Sequence, residues 1–258
     1  MAISALDRHS GTRLFTALVE RQLRLRAKRA LIGSIWPTFA PLALAALYIF
    51  VFHSVFRAPI AHYPLFLFSG LLPWTFVAQA LASGLTSLTT ESELIRRSAF
   101  RYELLPISSV ASMFCFFLVT LAGYVIFLVA RGEVPLVPLL ELIPSALSLL
   151  LFVSGIALVL SLIDVFNRDL RAVLANLLTV WFFLLPITYQ TQMVGGVVAK
   201  FEAVDPMSLI IGRFREALYY GHVGRPSHLL LMIGTTLGFF IVCLAAFRKL
   251  GSDLPKEV

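Results

Sequence analysis

The amino-acid sequence predicts an all-α membrane protein with six transmembrane helices, and three observations carry that expectation. Apolar residues make up 59% of the chain and charged residues only 14%, whereas a soluble domain carries roughly a quarter of its residues charged. Mean hydropathy is +0.89. Stretches without Asp, Glu, Lys or Arg run over 30–56, 58–90, 104–130, 142–163, 172–199 and 226–247. Each exceeds the roughly 20 residues with which a helix crosses about 30 Å of hydrocarbon. The runs are continuous rather than alternating, which excludes the pattern of a membrane barrel strand. A helix also satisfies its backbone polar groups within its own segment, as lipid requires.

The elements follow in order. Residues 1–34 form an N-terminal arm whose 12–30 stretch has helical texture. Leu14, Phe15, Leu18, Gln22 and Leu25 fall on one side, and Arg21, Arg24 and Lys28 on another. Such an amphipathic helix lies in the membrane interface with its cations toward anionic headgroups; the plainer alternative is a basic topogenic arm. No apolar run precedes residue 34, so a cleavable leader is not expected and the first span doubles as the targeting signal. The six-helix domain occupies 35–258, with spans at about 35–56, 63–85, 106–130, 138–163, 171–189 and 229–247. Between the second and third spans, Glu91, Glu93, Leu94, Ile95, Arg96 and Arg97 make a short polar helix with an apolar edge. The 190–228 segment mixes apolar and charged residues, with breaks at Gly195, Gly196 and Pro206. That composition fits re-entrant or interfacial helices at a gate or pore mouth better than an open polar loop.

Orientation follows from the cations. Fifteen Lys and Arg residues fall in the arm, the loops at 86–105 and 164–171 and the tail, against six on the other side. The excess of Lys and Arg marks the cytoplasmic side, so both termini are expected there. The net charge of +7 therefore reads as topology and not as nucleic-acid binding.

The chemistry of a self-contained catalyst is not written in the chain. It has no G-x-x-x-x-G-K-[ST] phosphate loop, no H-E-x-x-H and no G-x-S-x-G. Its five histidines are scattered, and Cys115 and Cys243 read as packing residues within spans. No catalytic or metal-ligating set is expected. No carboxylate lies at the centre of a span, where an ion-coupled carrier places its ionisable groups, so a partner is expected to supply the energy. The aromatic residues Tyr63, Trp74, Phe76, Trp181, Phe182 and Tyr189 are candidates for a conduit whose flat faces let sugar rings slide. An aromatic belt at the membrane interface is the other reading of them.

Several stretches resemble one family, the membrane (permease) subunits of ABC exporters for O-antigen, capsular polysaccharide and teichoic acid. They are 21–33 with Trp36 and Pro37, 63–76 (YPLFLFSGLLPWTF), 93–106 (ELIRRSAFRYELLP), 166–171 (FNRDLR), and Asp205-Pro206-Met207 followed by Phe214-Arg215. The patches stand in the family's order along nearly the whole chain. Arg101 replaces a usual proline, Asn167 a tyrosine and Asp205 an asparagine. The resemblance implies a homodimeric channel for a polysaccharide or lipid-linked glycan in the bacterial inner membrane, served by two ATP-binding cassette subunits. Those subunits, not this chain, would bind ATP and Mg. It implies that the Glu91–Arg97 stretch is the helix that couples to the ATPase. The arm with Arg21, Arg24 and Lys28 would add a second contact. Asn167, Arg168, Asp169 and Arg171 would form a cytoplasmic motif for coupling or substrate entry; from the residues themselves, a carboxylate such as Asp169 is expected to cap the N-terminus of span five. Gly195, Gly196, Asp205, Pro206 and Arg215 would shape an extracytoplasmic gate. A permease for lipids or drugs, and a membrane-embedded transferase acting on lipid-linked sugars, are the competing readings.

Overall fold

The computed structural model describes residues 3–28, 46–47, 50, 60–97, 100–167, 169–193 and 195–251. The expected first span, 35–56, thus lies almost wholly outside the described residues, as do Arg168 and the side chains of Lys28 and Arg97. The described elements are helical: α1 (Ile3–Lys28), α2 (Tyr63–Leu85), α3 (Ser87–Thr90), α4 (Ser92–Arg97), α5 (Leu104–Ala130), α6 (Leu136–Leu139), α7 (Leu142–Phe166), α8 (Leu170–Leu184), α9 (Gly196–Val204), α10 (Pro206–Arg215) and α11 (Pro226–Leu250).

Four of these units are long and apolar enough to cross a membrane: α2, α5, the combined Leu136–Phe166 stretch and α11. Their burial differs. About two thirds of the most apolar window is buried in α2 (67%) and nearly as much in Leu136–Phe166 (61%), against 22% in α5 and 17% in α11. α2 and α7 therefore form the centre of the bundle, with α5 and α11 packed around them. The outer helices turn Phe116, Val119, Ile126, Leu230, Ile241 and Val242 outward, as a surface solvated by acyl chains does. Close approach at the centre depends on small residues. A Cβ on Gly84 of α2 would sit 2.7 Å from the Ala157 Cβ of α7, and one on Gly155 would sit 3.1 Å from the Phe239 ring of α11.

Span five departs from expectation. Its helix stops at Leu184 instead of reaching 189, because Leu185 precedes Pro186 and takes an extended conformation (φ −85, ψ 146). A proline clashes with a helical residue before it. The resulting 15-residue helix is about 22 Å long, shorter than the hydrocarbon core. The 190–228 segment resolves into a short turn at Thr191–Met193, α9, α10 and a π-helical turn over Glu216–Tyr220. α10 packs against α2 and α7 with Met207, Ile210, Ile211 and Phe214 fully buried, so it is a core element and not a surface loop.

Candidate functional site

Two polar clusters occupy opposite ends of α2. At the α1 end, Leu14 and Leu18 of α1 join Ile95 of α4, Leu105 of α5, Leu158 and Leu162 of α7 and Phe247 of α11 in a separate apolar cluster. This seats α1 against α5, and Gln22 accepts a 3.0 Å hydrogen bond from Ser112. Arg21 then reaches Glu91 at 2.7 Å, just ahead of α4, while Arg24 pairs with Glu20 on α1 itself. Within α4, Ile95 is buried and pins the helix, whereas Glu93 and Arg96 are exposed and Leu94 is half-buried.

Two residues before Glu91, Thr89 donates to Asp164 at 2.8 Å. Asp164 is fully buried and receives two bonds from Arg171, Nε to Oδ1 and Nη2 to Oδ2, each 2.9 Å. Arg171 Nη2 also donates to Thr89 at 3.0 Å. This bidentate pair clamps the end of α7 to the start of α8, and the threonine ties the pair to α3. Asp169 precedes α8 as its N-cap residue but makes no side-chain cap bond. Instead, the Asn167 side chain accepts from the Asp169 N–H at 3.0 Å. Arg248 at the end of α11 meets Glu103 ahead of α5 at 3.1 Å.

The other end is built from buried arginines. Arg215 of α10 donates to Pro186 O at 2.6 Å and Ile187 O at 3.1 Å, and its guanidinium lies 3.7 Å from the Phe66 ring centroid. The proline that ends α8 thus leaves carbonyls without helical partners, and α10 supplies their donor. Gly70 faces the same guanidinium at 3.0 Å from where a Cβ would be. Arg213 pairs with Glu216 at 2.9 Å and Glu141 at 3.3 Å, joining α10 to the start of α7. Asp205 caps α10, accepting from the Ser208 N–H at 3.3 Å, and Pro206 fills the first helical position. It also receives the Trp181 indole N–H at 3.4 Å. Burial pushes the Asp205 carboxyl above its usual range, against the hydrogen bonds from Trp181, Met207 and Ser208. Gly196 adopts φ +65 at the start of α9, a conformation suited to glycine; Gly195, ahead of it, is extended and exposed.

The conduit candidates lie mostly inside the chain. Tyr63, Trp74, Phe76 and Phe182 are buried, while Trp181 and Tyr189 are part-exposed. Trp74 packs edge-on against Trp181 at 5.6 Å and near Phe182 at 5.7 Å. Phe76 packs with Phe114 and Phe117, and Tyr63 donates to Thr188 O at 3.2 Å. Sequence reasoning did not single out Asp164, Thr89, Glu141 or Glu216. Asp164 and Glu141 enter it only as the charges that bound an apolar window. The usable signal is the acid–base pair at 164 and 171, which flanks a turn between two apolar runs.

No family model matches the chain. Curated relatives do: an O-antigen export system permease protein from Klebsiella pneumoniae is 29% identical over 238 residues, which is 92% of each chain. A second from the same species is 26% identical over the same share. An O-antigen export system permease protein from Myxococcus xanthus is 29% identical over 216 residues, or 81% of each chain.

Proposed function

We propose that this chain, a relative of the O-antigen export permeases, is the transmembrane subunit of an ATP-driven ABC exporter that moves a polysaccharide across the bacterial inner membrane. The observation that carries this reading is the likeness along 92% of both chains. The cargo is a glycan of O-antigen or capsular type.

The remaining parts of the reading build on that one. The chain crosses the membrane six times, with 35–56 as the first span and α8 as a short fifth, and both termini face the cytoplasm. Two copies meet about a twofold axis to enclose the conduit. Two separate ATPase subunits hold ATP and Mg. α4 docks on an ATPase subunit, with Ile95 anchoring it from behind and Glu93 and Arg96 on the docking side. Arg21 holds the corner through Glu91, while Arg24 faces the lipid interface or the ATPase. At the far end Gly195 and Gly196 hinge α9, and Asp205, Pro206 and Arg215 fix α10 as the gate's frame. Trp181 and Tyr189 keep an accessible edge for a sugar ring; Tyr63, Trp74, Phe76 and Phe182 brace the wall behind them. Closure of the ATPase pair moves these packed units between two arrangements and drives the polymer outward.

The test is to solubilise the chain from its native membrane, identify what co-purifies and assay ATP hydrolysis. A stoichiometric ATPase, with hydrolysis lost when Glu91–Arg97 is replaced by Gly/Ser, is the expected result. A chain that captures no ATPase, in cells whose surface glycan is unchanged by its deletion, would sink the exporter reading.

A further inference from the structure

One rod connects the two clusters. α8 begins at Leu170 with Arg171 in its first turn and ends at Leu184 with Trp181 in its last. At its start, Arg171 is held bidentate by Asp164 and bridged to Thr89. At its end, the Trp181 indole N–H reaches the residue that caps α10, and the Pro186 and Ile187 carbonyls just beyond take both Nη donors of Arg215. An α-helix of this length is stiff along its axis, so a displacement imposed on its first turn appears at its last. Thr89 lies two residues from Glu91, which Arg21 holds, so the backbone just ahead of α4 joins the Arg21–Glu91 pair to the Thr89–Asp164–Arg171 cluster.

We infer that Asp164, with Arg171 and Thr89, is a positioning latch that passes movement of the α4 corner along α8 to α9, which moves against the α10 frame. The inference rests on the exporter reading above, because it assigns α4 as the site where ATPase movement enters. Its chemistry suits a transmitter. Asp164 is fully buried, and a buried carboxylate is held strongly only while its donors stay in place. Arg171 keeps 46% of its side-chain surface exposed, which leaves the guanidinium room to swing with the corner. The Thr89 hydroxyl touches both partners of the ion pair, so α3 cannot shift without loading that pair.

The test uses the full permease–ATPase complex in lipid nanodiscs. Cys115 and Cys243 are replaced by Ser, and a Val204→Cys probe is placed on α9, where the native side chain is 82% exposed. In the parent complex, ATP changes the rate at which a charged thiol reagent labels the probe. With Asp164→Asn, hydrolysis stays within about twofold of the parent while glycan transport falls roughly tenfold and labelling no longer responds to ATP, the scale expected for losing hydrogen bonds to a charged group. An Asp164→Asn complex with intact transport and ATP-responsive labelling overturns the latch. So does one in which hydrolysis falls in step with transport, since a latch predicts that the two separate. If Asp164→Asn fails to accumulate, Thr89→Val decides, because it keeps the ion pair and removes only the bridging hydroxyl. A weakened labelling response is expected there, and an unchanged one overturns the proposal. A parent chain that binds no ATPase overturns the exporter reading itself, an outcome distinct from a coupled parent with an indifferent Asp164→Asn.

Discussion

At the α10 end of the bundle, Arg213 keeps 3% of its side-chain surface exposed and Arg215 only 5% of its residue surface. At the α1 end, Arg21, Arg171 and Arg248 pair with carboxylates while exposing 52%, 46% and 53% of their side chains. Arg213 and Arg215 even leave some N–H groups without hydrogen bonds among the described residues. A buried guanidinium has surrendered its hydration, so removing its partners is costly. A half-exposed one can exchange a protein partner for water, and the cost of opening such a pair then falls on its carboxylate, which at Asp164 is fully buried. The α10 end is therefore a fixed frame, and the α1 end is a set of joints whose cations can swing while the carboxylates of Glu91, Asp164 and Glu103 stay largely buried. That division suits a machine driven from one end and gated at the other.

The largest effect is expected from Arg215→Met, which leaves the Pro186 and Ile187 carbonyls unpaired and loses the stack on Phe66. It should lower stability by about 3 kcal/mol, read as a clear fall in melting temperature in detergent. Gly224→Ala comes next. Its Cβ would fall 1.8 Å from Arg213 Nη1 and 1.9 Å from Glu216 Oε2, so the buried clamp must give way. Overpacking of this kind costs about 2 kcal/mol, visible in the same melt. Arg248→Ala should cost about 1–2 kcal/mol, since Arg248 itself is half in solvent while the largely buried Glu103 carboxylate loses its cation. The smallest change is expected from Arg21→Ala, whose melting temperature should track the parent within about 1 kcal/mol of stability while the parent's own ATP-coupled transport weakens at high salt, where the half-exposed Arg21 cation is screened. If Arg21→Ala or Arg248→Ala destabilises as much as Arg215→Met, the contrast between frame and joints is wrong.

The bundle was legible where charge and length speak. The span at 63–85 coincides with α2 because His62 (φ 46) and Pro64 start it and the polar 86–91 stretch ends it. The all-helical class follows from the same windows. Span five was oversized because hydropathy continues through Pro186 to Tyr189, while the backbone cannot stay helical at Leu185. The aromatics were harder. Phe76 packed in a core and Phe183 on an exposed face look alike in a one-dimensional pattern, since an apolar wall and a lipid belt want the same side chains. Asp164 was hidden for the opposite reason. A carboxylate at the end of an apolar run reads as the edge of the membrane, and only folding brings Thr89, 75 residues away, to its oxygens.

The notch at Gly84 has a consequence in time. Its mate Ala157 is 73 positions later in the sequence, so at about 5–20 residues per second of synthesis α2 waits roughly 4–15 s in the membrane before α7 exists to fill it. During that wait the groove is covered by lipid or by whichever helix has already emerged. The α2–α7 contact thus forms only after the intervening chain is made, and a chain stalled between the two positions carries an open seam.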